Sequence, residues 1–97
     1  MLGLSTPSDL HSLLVQAQGA RDASNWALAV DLFNHAAQLA PTSAEIRHNL
    51  ALCHFGLGQA HLALRYAAEV IHQQPQFWQS RIILAKAQKQ LGQAEAA

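Results

Sequence analysis

PTSAEIRHNLALCHFGLGQAHLALRYAAEVIHQQP, residues 41–75, is the stretch whose reading decides the fold. Two prolines thirty-four residues apart bound it, and between them lie two amphipathic segments joined at Leu57-Gly58-Gln59. Thr42-Ser43-Ala44-Glu45 has the spacing of a capping box and opens the first segment. Ile46, Leu50, Cys53 and Leu57 then fall on one buried helical stripe, and Gly58 is placed to end it in a left-handed conformation. The second segment, about 59–73, turns Ala63, Leu64, Ala67, Val70 and Ile71 inward until Pro75 ends it, because a residue before proline is pushed out of helical geometry.

The flanking residues repeat this pattern. One period apart lie Ala17, Ala51 and Ala85, and likewise Ala29, Ala63 and Ala97. Small residues align at Gly19, Cys53 and Ala87, and turn residues at Ser24, Gly58 and Gly92. Upstream, Thr6 serves as N-cap, Pro7 fits the first helical position and Asp9 sits in the first turn. Leu10, Leu13, Leu14 and Ala17 give that helix its stripe, which fades near Asp22, and Ser24-Asn25 turns the chain. A second helix runs from Trp26 to Leu39 with Ala29, Leu32, Phe33, Ala36 and Ala37 inward, closed by Pro41. Downstream, a fifth helix from about Phe77 carries Ile83, Leu84, Ala87 and Leu91, with Gly92 as its stop and 93–97 as the opening of a sixth. No strand-like alternation interrupts the series. The expected fold is all-α: antiparallel helix-turn-helix units, each burying its apolar face against a neighbour. Paired helices approach closely only where side chains are small, which is the role the pattern gives Ala17, Ala51 and Ala85.

Composition narrows the function. Of 97 residues 51% are hydrophobic and 12% charged, with formal net charge zero, so no global field draws the chain to nucleic acid or an acidic membrane. The weakly charged surface lacks self-repulsion, which leaves self-association open. A single cysteine, Cys53, allows no intrachain disulfide and favours a reducing compartment. There is no basic segment before an apolar run at the N-terminus and no apolar run long enough for a membrane span. A cytoplasmic location is the expectation.

The chemistry-bearing residues are sparse. His11, His35, His48, His54, His61 and His72 include no pair three or four apart, so no two share a helix face as metal ligands. Cys53 and His54 are neighbours, but neighbours on a helix point about 100° apart and cannot pair as nucleophile and base. No phosphate loop or nucleophile elbow is present. The expectation is a chain that is not an enzyme, with no cofactor and no metal. Arg81, Lys86 and Lys89 gather on the fifth helix with no acid between Glu69 and Glu95, but without the companion aromatics that single-stranded nucleic acid needs.

These small residues and terminal prolines make the chain resemble the tetratricopeptide repeat family, whose thirty-four-residue helical hairpins stack into a right-handed superhelix. The resemblance divides the single domain, 1–97, into repeats 10–43 and 44–77 and a partial repeat 78–97. The family's later aromatic and alanine fall on Phe33 and Ala36 in the first repeat, but on Ala67 and Val70 in the second. Its early tryptophan is replaced by Leu13, Arg47 and Arg81, and its tyrosine before the turn by Ala20, His54 and Gln88, which implies looser contact within each hairpin.

The resemblance also implies a concave groove lined by the first helix of each repeat. Its residues would be His11, Leu14, Gln18, Arg21 and Asp22 in the first repeat; Glu45, His48, Asn49, Leu52 and Phe55 in the second; and Gln79, Ile82, Lys86 and Lys89 in the third. Leu14, Leu52, Phe55 and Ile82 would form an apolar strip the core does not use, with Arg21, Lys86 and Lys89 orienting the ligand. Of the family's carboxylate-clamp positions only Asn49 matches; His11, Val15, Glu45, Gln79 and Ile83 occupy the rest. The implied function is non-catalytic binding of a partner peptide or helix, with neither nucleic acid nor membrane as partner. Two alternatives stay beside it: a homodimer or scaffold formed through the incomplete third repeat, and a substrate-recruiting piece of a larger enzyme such as a transferase.

Overall fold

The structure, a computed structural model, describes residues 9–96. The chain is all-α: α1 Leu10–Asp22, α2 Trp26–Leu39, α3 Ala44–Gly56, α4 Ala60–Gln73 and α5 Trp78–Ala96, with no strand among the described residues. Each helix packs on the next in sequence, and α3 also touches α5.

Local chemistry sets the helix ends. Asp9 caps α1, its carboxylate accepting from the His11 amide at 3.1 Å and from the Ser12 hydroxyl at 3.3 Å. The expected Thr6 cap and Pro7 lie outside the described residues. Ser43, one residue later than expected, caps α3 by accepting from the Ile46 amide at 3.3 Å, so the capping box anticipated between Thr42 and Glu45 gives way to a simple serine cap. Leu57, assigned to the buried stripe, follows the end of α3 and is 39% exposed.

The thirty-four-residue period is conformational as well as chemical. Ser24 and Gly58 both take positive φ, 58° and 78°. Asn25 N–H donates to the Ala20 carbonyl at 2.8 Å, and Gln59 N–H to the His54 carbonyl at 2.9 Å. Ser43 N–H reaches the Ala40 carbonyl at 3.2 Å, and Phe77 N–H the Gln74 carbonyl at 3.0 Å. The two hairpins therefore turn, and hand over to the next helix, by the same hydrogen bonds.

Burial follows two clusters that meet at α3. Leu13, Ala17, Phe33, Ala36, Leu50 and Cys53 are central to the first, joining α1, α2 and α3. Ala51, Ala60, Ala63, Ala67, Ile83 and Ala87 form the second, joining α3, α4 and α5. Tyr66 packs against both. Ala17, Ala29, Ala51 and Ala63 are fully buried, as close helix approach requires. Ala85, expected at a third approach, is exposed, because no described helix follows α5 to cover it; Ala97 lies outside the described residues.

Two glycines shape the helices they sit in. Gly92 does not stop α5, which continues to Ala96. A mid-helix glycine costs about 1 kcal/mol relative to alanine, and the surrounding Lys, Gln, Leu and Ala residues are good helix formers. The turns at Ser24 and Gly58 are held by a helix folding back, and nothing described folds back after Gly92. Gly56, at the end of α3, lies under the Trp26 indole from the start of α2, closer than a Cβ would tolerate. This contact joins one hairpin to the next.

Candidate partner-binding surface

The odd-numbered helices carry the residues expected to line a groove, and hydrogen bonds tie their polar side chains together. Arg21 sits in the last turn of α1, where the helix dipole favours a cation. Its Nε and Nη2 each donate to Asp22 Oδ1 at 3.1 Å, and its Nη1 donates to Asn49 Oδ1 on α3. Asn49 is 4% exposed and uses its other amide atom as well, Nδ2 donating to the Glu45 carbonyl at 3.0 Å. Its side chain is thus committed within the protein and braces Arg21.

His48, one residue before Asn49, connects α3 to α5. Its Nδ1 lies 2.7 Å from Ser80 Oγ, and its ring is 4.9 Å from that of Phe77, tilted by 36°. Burial lowers the His48 pKa from its ordinary 6.5, the Arg21 charge lowers it further, and Glu45 partly opposes both. Burial and the Arg21 charge on α1 thus both favour the neutral imidazole. Ser80, fully buried, was not anticipated as a site residue. The period offered a signal, since it places Ser80 at the position of buried Ile46, and a buried hydroxyl needs a partner.

The apolar residues are disposed otherwise than expected. Leu14 packs on the first cluster, and Leu52 and Phe55 on the second, all three half-buried. They belong to the edges of the core, so the strip that the core was expected not to use is in fact shared with it. Ile82 alone of the four is well exposed, at 45%. Gln18 is half-buried, while His11, Glu45, Gln79, Lys86 and Lys89 are exposed. Ile82, Lys86 and Lys89 recur at helical spacing along α5, and neither lysine forms an ion pair among the described residues.

Cys53 is buried, and desolvation pushes its thiol up to about 11 despite the opposing Arg21 charge, so it stays protonated at neutral pH. His54 does not face it: its Nδ1 lies 2.7 Å from Gln59 Oε1 and its ring stacks on Tyr66 at 5.5 Å. Among the described residues no three His, Cys, Asp or Glu side chains gather as a metal site, and no helix is long and apolar enough to cross a membrane.

Two surface depressions lie elsewhere. One is lined by Arg47, Ala68, Glu69, His72 and Gln73, on the α3–α4 side. Another lies between the start of α4 and the far part of α5, at Gln59, Ala60, Leu62, Gln90 and Leu91. Both are shallow and open, and neither includes a residue expected to line the groove. No protein-family model and no curated protein matches the chain.

Proposed function

We propose that the chain is a non-catalytic interaction module of the tetratricopeptide type, holding a polypeptide segment of a partner against the inner wall formed by α1, α3 and α5. The observation that carries this reading is the pair of bonds Arg21–Asn49 and His48–Ser80, which link α1 to α3 and α3 to α5. A wall built this way is fixed before any ligand arrives, which lowers the ordering cost of binding. Ile82 offers an exposed apolar anchor, Leu52 and Phe55 are half-buried on α3, and Lys86 and Lys89 offer cations to an acidic residue of the ligand. Leu14, Gln18 and Arg21 continue the wall along α1, with Arg21 acting through shape, since three of its bonds are internal. A binding role outside the membrane, in the cytoplasm, accords with the single buried thiol.

The test is a peptide selected from a random displayed library on the intact chain. Changing Lys86 and Lys89 together to Glu is expected to weaken its Kd by roughly tenfold or more, whereas Arg65→Glu on exposed α4 surface leaves it unchanged. Equal loss from both variants, or none from the lysine pair, would overturn the reading.

A further inference from the structure

The buried row of α5 is Ser80, Ile83 and Ala87, and it opens on a hydroxyl. One period earlier that place belongs to Ile46, an apolar side chain buried in the first cluster. Ile83 and Ala87 seat α5 in the second cluster by apolar contact. Ser80, fully buried, needs a hydrogen-bond partner and finds it in His48 Nδ1, 2.7 Å away on α3. Among the described residues this is the only side-chain hydrogen bond between α3 and α5. The seating of α5 on α3 thus includes a titratable group.

The surroundings of His48 decide what a proton does there. The charged groups that act on the ring are Arg21 on α1 and Glu45, one turn earlier on α3. The turn before α5 and its first residues bring the uncharged Phe77 and Ser80 against it. Of the other charges, Arg81 is turned to the Pro75 carbonyl, and Glu69 of α4 to Arg47 and Arg65. Lys86 and Lys89 lie further along α5, and Asp31 and His35 are exposed on α2.

A proton makes both ring nitrogens donors and gives the ring a charge. Arg21 opposes that charge, and contact with Phe77 and Ser80 denies it water. Exposed Glu45 and solvent favour it on the open side of the half-buried ring. The charged ring therefore turns outward and leaves Ser80 a buried hydroxyl without its partner.

We propose that His48 is an acid-released latch: protonation parts it from Ser80 and loosens the first turns of α5 on α3, while α1 to α4 stay packed. Ile82, Lys86 and Lys89 ride on the loosened helix, so acid also disperses the inner wall. That consequence rests on the partner-binding reading above; the latch itself does not, and its test needs no ligand.

The test is native-state amide hydrogen exchange of the intact chain, read residue by residue as protection factors. Between about pH 7.5 and about pH 5, protection at 81–87 is expected to fall roughly fivefold or more relative to α2. The midpoint of that fall should coincide with the titration of the His48 ring signals in the same samples. His48→Gln keeps an amide for Ser80 but cannot charge, and is expected to preserve α5 protection across the range. Glu45→Gln, at an exposed position, removes the acid that favours the charged ring and is expected to move both midpoints to lower pH. Protection at 81–87 that stays level with pH, or falls only in step with α2, would overturn the proposal. So would a fall that persists in His48→Gln, or a midpoint that departs from the His48 titration in either chain.

Discussion

Arg47 and Arg81, one period apart, each donate from the guanidinium to the carbonyl oxygen of the proline six residues upstream. Each arginine stands where the resembled family has its early tryptophan. The departure was expected to loosen the hairpin; in the structure each arginine clasps the turn before its helix. Arg47 goes further, bonding Gln73 at 2.8 Å while Gln73 Nε2 donates to the Thr42 carbonyl at 2.7 Å. The α2–α3 turn, α3 and the end of α4 are thereby joined through two side chains.

The two clasps differ in worth. Arg47→Met removes bonds to Pro41 and Gln73 and the approach to Glu69, and is expected to cost about 1–2 kcal/mol. Arg81→Met removes bonds to a single exposed acceptor and is expected to cost about 0.5 kcal/mol. Urea denaturation of both variants checks the order, and a larger loss at Arg81 would contradict it.

Two glycine substitutions of the same kind should move stability in opposite directions. At Gly92 an added Cβ meets open space inside a continuous helix, so Gly92→Ala is expected to stabilise by about 0.5–1 kcal/mol. At Gly56 the Cβ would strike the Trp26 indole, and Gly56→Ala is expected to destabilise by about 1–3 kcal/mol despite the better helix propensity. Thermal melts read both signs. If Gly92→Ala destabilised instead, α5 would end at a turn there.

His48 gives stability a pH dependence. Its pKa is lower in the folded chain than the ordinary 6.5, so the unfolded chain binds the proton more readily. The stability associated with the neutral ring is fully present above about 6.5 and is lost as pH falls below it towards the depressed folded value. His48→Gln is expected to flatten this part of the profile, measured as the urea midpoint between mildly alkaline and mildly acid pH. An unchanged slope in the variant would mean that other groups carry it.

Much of the architecture was legible because it rests on local chemistry. Trp26–Leu39 could be bounded from Ser24-Asn25 before it and Pro41 after it, and the left-handed turn at Gly58 from glycine alone. The close approaches at Ala17 and Ala51 followed from the period. What stayed hidden crosses from one hairpin to the next: Trp26 over Gly56, Arg21 on Asn49 and His48 on Ser80. Those pairings depend on how far one hairpin slides along its neighbour, which packing of both clusters sets and no single segment encodes. The same cause explains Leu52 and Phe55, which are half-buried against the cluster that α3, α4 and α5 share. Gly92 misled because a turn residue makes a turn only when something beyond it folds back.

The most direct measurement of the central claim is an amide chemical-shift map of the isotopically labelled chain, titrated with a peptide selected on it from a random library. Binding against the inner wall predicts that the largest changes fall together on Gln18, Arg21, His48, Asn49, Leu52, Ile82 and Lys86, on three helices joined by the Arg21–Asn49 and His48–Ser80 bonds. Changes confined to α2 and α4, or to Arg81, Ala85 and Gln88 of α5, would contradict it.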